Sequence, residues 1–134
     1  MSRVAEYDPA QVSAVYDSRT ITGFSDSSLI KIEFAEDAIL PKVGGQGDTA
    51  VALNANKSGT VVFTLMQTSS SLSWLRQMAA ARTRAQLTIN EPSDPAGYVI
   101  NSEDCYVLKV PSFATGKDIQ DVEVTIWVPE INIG

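Results

Sequence analysis

Few residues of this chain could perform chemistry, and histidine is absent from all 134 positions. The chain therefore lacks the commonest general base and the commonest metal ligand. A lone cysteine, Cys105, cannot form an intramolecular disulfide and cannot supply a zinc site. The serines have no histidine to activate them as nucleophiles. We therefore expect a protein that is not an enzyme and that holds no cofactor and no metal.

Two short segments have the residue types of a site but lack its spacing. The sequence GGQG at 44–47 is rich in glycine, yet a strand pattern follows it, whereas a phosphate-binding loop needs a helix N-terminus. Adjacent acids at 36–37 and 103–104 could serve acid–base chemistry. Neighbouring side chains on an extended chain point to opposite sides, so we expect these acids to be solvated loop charges.

The elements that would position any site are mostly strands. Alternating apolar and polar residues predict a mainly β, two-sheet sandwich or barrel in a single domain, 1–134, with one flanking helix at about 70–83. Serines at 69–71 offer N-caps for this helix. The predicted strands are 12–16, 29–34, 49–53, 60–68, 85–90, 98–101, 105–110 and 121–128. Strand 49–53 is expected to pair with 60–68 across the turn 54–59.

The segment 56–69 is the most informative of these. One face of its strand carries Val61, Phe63 and Leu65, while the opposite face alternates threonines with Val62 and Met66. This second face is too apolar for water and too polar for a core, which is typical of a subunit in an assembly.

The segment 35–48 is predicted to be a long loop because it has three glycines and no strand alternation. Loops of this length in small domains are usually functional. Its apolar residues indicate a contact surface between subunits or between rings of subunits. The residues expected there are Ile39, Leu40, Val43, Gly44 and Gly47. The alternative is that the loop folds back onto its own domain.

Charge is distributed unevenly along the chain, which carries a net charge of −6. Counting Lys and Arg against Asp and Glu gives −4 for residues 1–48, +4 for 49–90 and −6 for 91–134. Opposite charges of this kind suit head-to-tail contact between identical copies, unless folding mixes the three segments. The acidic total argues against a nucleic-acid reader. No apolar run is long enough to cross a membrane, and the N-terminus has no signal-peptide pattern.

Several motifs, in order, resemble the tail tube proteins of contractile-tailed bacteriophages. The N-terminal part of the resemblance comprises YDP at 7–9, ITGF at 21–24 with Asp26, IE at 32–33 and Asp37. It continues with VG at 43–44, Gly47, SGTV at 58–61 and LMQTS at 65–69. The resemblance covers roughly residues 7–72, and the C-terminal part matches only in its pattern of strands.

This resemblance implies hexameric rings that stack into the inner tube of a contractile tail, in the virion, after assembly in the host cytoplasm. The implied partners are further copies of the chain, the tail sheath protein, the baseplate hub and the tail terminator. The tape measure protein and genomic DNA would pass through the lumen without specific binding, and no membrane is involved. Because a DNA conduit must repel phosphate, we expect acids and hydroxyls on its inner wall. The lumen candidates are Asp121, Glu123, Thr125, Thr60 and Thr64, with Thr68 as a sixth.

Two other functions remain open at this point. The chain could be the tube of a tailocin or of a type VI-like contractile injection system, which the sequence does not distinguish from a phage tube. A protein of a different class, a carbohydrate-binding β-sandwich, would use Trp74, Trp127 and the tyrosines to stack sugars. A carbohydrate-binding protein would be a monomer, whereas a tube protein would form filaments.

Overall fold

The computed structural model describes residues 12–24, 30–92, 97–111 and 115–131. The motif residues at 7–9 and Asp26 lie outside these ranges. The helix, α1, spans Ser71–Ala81. The strands are β1 Ser13–Tyr16, β2 Arg19–Thr20, β3 Ile30–Phe34, β4 Ile39–Val43, β5 Thr49–Leu53, β6 Gly59–Met66, β7 Ala85–Glu91, β8 Tyr98–Val107 and β9 Asp121–Val128. The mainly β fold with one helix is confirmed.

Seven strands form one antiparallel sheet in the order β2-β1-β7-β8-β9-β6-β3. Strand β8 links its two halves, because its first part pairs with β7 and its last residues, Tyr106 and Val107, pair with β9. Asp104, just before this change of partner, has a positive φ of 63°. The two strands predicted at 98–101 and 105–110 are therefore one strand. Strands β2 and β3 are the edges of the sheet, so the described residues form no closed barrel.

The core lies on one face of each half of this sheet. In β6 and β9, alternate residues are buried, as the sequence pattern predicts. Leu72, Leu75 and Ala79 of α1 contribute to the same core. Tyr16 ties β1 to β8, because its hydroxyl donates a hydrogen bond to the carbonyl of Cys105 at 3.0 Å. The predicted two-faced character of β6 is confirmed, with Val61, Phe63 and Leu65 buried.

The predicted serine N-cap bond is absent at Ser70, and α1 ends at a residue with left-handed backbone geometry. Ser70 is the N-cap residue and makes no side-chain cap bond. The hydroxyl of Ser69 accepts a hydrogen bond from the Ser71 N–H at 3.2 Å and donates one to the Thr22 carbonyl. At the other end, Arg82 adopts a left-handed conformation and its N–H bonds the Ala79 carbonyl. Left-handed residues commonly end helices in this way.

The predicted pairing of β5 with β6 is wrong. Both sides of β6 are occupied, since β3 pairs along one side and β9 along the other. Strand β5 pairs instead with β4, from the segment 35–48 that we expected to be a loop. Pro41 interrupts the β pattern of β4, and proline lacks the N–H that a strand in the middle of a sheet must donate. A two-stranded sheet tolerates a proline because each of its strands has one edge that pairs with no other strand.

Gly59, the first residue of β6, is predicted to tolerate no side chain. A Cβ there would clash with the Glu33 carbonyl oxygen and with a methyl of Ile131. We expect Gly59→Ala to destabilise the folded protein by about 1–3 kcal/mol, as overpacking of a tight site does. Chemical denaturation measures this. Gly45→Ala is the control, because no atom lies within 4 Å of its Cβ position; equal stability of the two variants would contradict the prediction.

Candidate functional site

Strands β4 and β5, with the turn 44–48, form a two-stranded hairpin that we call the arm. All ten strand residues of the arm are exposed. Directly opposite partners in a hairpin share a face, so Ile39 lies beside Leu53, Pro41 beside Val51 and Val43 beside Thr49. The exposed fractions are 55% for Ile39, 67% for Val43, 60% for Val51 and 82% for Leu53. This face of the arm is therefore an almost entirely apolar strip in contact with solvent.

The two ends of the arm are fixed by hydrogen bonds. At its base, the Asn54 N–H donates to the Ala38 carbonyl and the Asn54 side-chain amide donates to the Asp37 carbonyl, both at 2.9 Å. At its tip, the Gly44 N–H donates to the Asp48 carbonyl at 2.6 Å. Gly47 has a φ of +87°, which favours glycine at this turn. The arm is a defined projection rather than an irregular loop.

The arm brings together the five contact residues that the sequence suggested: Ile39, Leu40, Val43, Gly44 and Gly47. Leu40 lies on the face opposite Ile39, next to Ala52. Sequence reasoning missed Val51 and Leu53, because it placed their strand inside the main sheet. Contiguous exposed apolar surface is often a site of protein–protein contact.

A second surface, the outer face, is the side of β3, β6 and β9 that points away from the core. The register places Thr60 opposite Trp127, Thr64 opposite Glu123, and Met66 opposite Asp121. Thr125 lies opposite Val62, and this pair lies between the Thr60–Trp127 pair and the Thr64–Glu123 pair. One continuous face therefore carries all five lumen candidates: Asp121, Glu123, Thr125, Thr60 and Thr64. Thr68 lies beyond the end of β6.

The outer face is acidic and hydroxyl-bearing. Its edge strand β3 contributes Lys31, whose ammonium lies 2.9 Å from the Glu33 carboxylate. Hydrogen bonding and charge attraction from Glu33, with a smaller contribution from Glu123, raise the pKa of Lys31. This lysine is therefore held by carboxylates on the same face, which reduces its availability to an external anion.

The four basic residues of the segment 49–90 lie on other elements. Arg76 belongs to α1, and Arg82 ends it. Arg84 follows the helix and pairs with Asp104 at 3.3 Å. Lys57 precedes β6. None of these four residues is on the strands of the outer face.

The two tryptophans that could stack a sugar lie in different surroundings. The Trp74 ring stacks with Tyr16 at a centroid distance of 6.4 Å, and the Arg19 guanidinium lies 5.6 Å from the Trp74 centroid. Trp74 is therefore engaged within the fold. Trp127 is half-buried on the outer face, between Thr60 and Tyr106.

The described residues contain no cluster of three or more potential metal ligands. Within the same ranges, no helix has the length and apolar character to cross a membrane.

Comparison with known proteins finds similarity to a phage structural protein and to tube and terminator structures of contractile systems. No family model matches. The chain is 29% identical over 122 residues to the structural protein ORF10 of Pseudomonas phage KPP10, covering 81% of this chain and 69% of that protein. Its fold is similar to the cap that terminates the tube of the anti-feeding prophage, with a TM-score of 0.63 and 12% identity over 100% and 94% of the two chains.

Two further solved structures share the fold. One is the sheath/tube terminator of an extracellular contractile injection system (PVC), with a TM-score of 0.60, 14% identity and 96% of both chains covered. The other is the sheath–tube complex of the same kind of system, with a TM-score of 0.59, 15% identity, and coverage of 96% of this chain and 91% of that one. These similarities confirm the predicted tail tube type of fold, and the related proteins are structural components rather than enzymes.

The lone thiol, Cys105, is predicted to be unreactive in the folded protein. The residue is fully buried, and burial raises the pKa of its thiol, so less thiolate is present at a given pH. We expect a thiol reagent at about pH 8 to modify Cys105 only after denaturation. A Ser73→Cys variant, with its thiol on the exposed side of α1, should react in the native state. Rapid native labelling of wild-type protein would contradict this expectation.

Proposed function

We propose that copies of this chain form hexameric rings that stack into the inner tube of a contractile phage tail, the conduit through which DNA leaves the virion. The observation that carries this proposal is the arm. A single two-stranded hairpin is marginally stable in water, and this one exposes its apolar strip to solvent. A neighbouring copy that covers the strip would stabilise both the arm and the stack of rings.

The two edges of the main sheet support closure of a ring. Strand β3 has β6 on one side and no partner on the other within the described residues, and the short β2 is the opposite edge. Unpaired strand edges pair readily with other chains. Neighbouring subunits placed side by side would cover these edges, and the outer faces of their β3, β6 and β9 would together form the wall of a wide barrel.

The proposed partners and location follow from this role. The tail sheath protein would surround the tube, and the baseplate hub and tail terminator would meet its two ends. The tape measure protein and DNA would occupy the lumen without specific binding. The protein would assemble in the host cytoplasm and act in the virion tail. The tube of a tailocin or of a type VI-like injection system requires the same surfaces.

A second candidate is a tube-terminating cap. Two of the three similar structures described above are terminators rather than tubes. A tube subunit needs two complementary stacking surfaces, whereas a cap needs only one. The two functions therefore differ in whether the purified protein extends into tubes or stops at single rings.

Assembly of the purified protein tests the proposal. We expect rings and tubes in negative-stain images and a rising sedimentation coefficient with concentration. Replacing Ile39 and Leu40 with Asp should leave a folded subunit that forms no tubes, because each apolar side chain contributes about 1.5–3 kcal/mol on burial before entropy losses. Ser73→Asp, which adds a charge on the exposed side of α1, is the matched control.

Three results would count against the tube. A strict monomer at every salt and protein concentration would exclude it, and single rings that never extend would favour the cap. Normal tubes from the Ile39 and Leu40 double variant would show that the arm is not the stacking contact.

The outer face is predicted to repel DNA. We expect wild-type tubes to retain no DNA at low salt, and Asp121→Lys with Glu123→Lys to create salt-dependent retention. Each added lysine that meets a phosphate steepens the dependence of log K on log salt by about 0.9. Filter binding over a salt series measures this. Tubes of the Ser73→Lys variant serve as the control, since Ser73 is on α1 and not on the outer face. If only the control tubes retained DNA, the outer face would not line the lumen.

A further inference from the structure

An open cleft of about 640 Å³ lies at the base of the arm. Phe34, Ala38 and Ile131 contribute apolar surface to it, and Phe34 is 50% exposed. Asp37 and Lys57 contribute charge. The cleft therefore combines an apolar floor with two acids, Glu36 and Asp37, and one base, Lys57. We call it the root cleft.

The charges of the root cleft have complements at the other end of the same arm. Lys42 and Asp48, together with Val43, belong to the arm tip, residues 42–49. No ion pair within the described residues involves Lys42, Asp48, Asp37 or Lys57. Glu36, the other acid of the cleft, already accepts a hydrogen bond from the Asn56 side-chain amide at 2.5 Å.

We infer that the root cleft binds the arm tip of a second copy of this chain. In this contact Val43 covers the apolar floor beside Phe34, Lys42 pairs with Asp37, and Asp48 pairs with Lys57. Apolar contact supplies the affinity, and the opposite charges fix the direction of the incoming arm. The inference rests on the proposed stacking function and names its receiving surface.

Because the arm tip and the root cleft lie at different places on the chain, this contact could repeat from one copy to the next. The two surfaces lie at opposite ends of one arm, so they cannot meet within a subunit. A contact between two different surfaces of identical chains is heterologous, and it extends into an open stack when the rotation does not close. Every subunit would then insert its own arm tip and receive another.

Disulfide trapping tests this contact without removing the charges. Ala38→Cys places a thiol in the root cleft, and Val43→Cys places one at the tip. The two positions are five residues apart in an extended segment, about 17 Å, whereas a disulfide needs Cα atoms within about 7 Å. A disulfide between them must therefore join two copies. The native Cys105 is buried and does not compete.

We expect a mixture of the two single variants, one carrying a mass tag, to assemble into tubes and to form the mixed dimer on oxidation. Val43→Cys mixed with Ser73→Cys is the control and should form no mixed dimer. Tubes that assemble normally but yield no mixed dimer would overturn the inference and leave the stacking proposal intact. Self-dimers of either single variant in place of the mixed dimer would also overturn it. Failure of wild-type protein to assemble would overturn both.

Charge reversal provides an independent measurement. We expect Lys42→Glu and Asp37→Lys, each alone, to raise the concentration needed for assembly at least about tenfold, because like charges then face each other. The double variant should restore assembly. The base of the arm should survive, since Asn54 bonds the backbone carbonyl of Asp37 and not its carboxylate. A double variant as impaired as the single ones, or single variants that assemble normally, would contradict the pairing.

Discussion

The arm is a two-stranded hairpin whose apolar strip is left exposed by the rest of the described chain, and the proposed assembly depends on this constraint. Its ten strand residues are exposed, and four of its large apolar side chains on one face lie in solvent. Hydrogen bonds at the base and at the tip define the hairpin but cover none of this surface. The free energy that a partner surface would supply would therefore both stabilise the arm and join the copies. In the proposed assembly, folding of the arm and association of the copies are coupled.

The base of this projection is held by the strands of the main sheet. The arm leaves the sheet directly after β3 and returns directly before β6, which are paired with each other. Its base is tied by the Ala35 N–H to the Ser58 carbonyl, at 3.0 Å, at the same end of that pair. The outer face lies on these same two strands and on β9. The surfaces proposed for stacking and for the lumen are thus oriented relative to one another by one paired set of strands.

Local pattern predicted much of the fold, whereas long-range pairing could not be predicted. Alternation in β6 and β9 indicates their buried sides, since one residue of shift would expose Val61, Phe63 and Leu65 to solvent. The arm was missed because Pro41 and the glycines obscure the pattern of β4, and because β5 has the same pattern whether it pairs with β4 or with β6. The lumen candidates could be chosen by residue type, yet their meeting on one face depends on the register of β6 with β9. The root cleft joins residues from β3 and from the segment after β9, so no local signal indicates it.

Hydrogen exchange at the backbone amides of the arm tests the coupling of arm and assembly most directly. Residues 39–43 and 49–53 should exchange rapidly in the dissociated subunit, since their strands pair only with each other. The same amides should become strongly protected in assembled tubes, while β6 and β9, in the middle of the main sheet, should be protected in both states. Equal exchange of the arm amides before and after assembly would contradict the account.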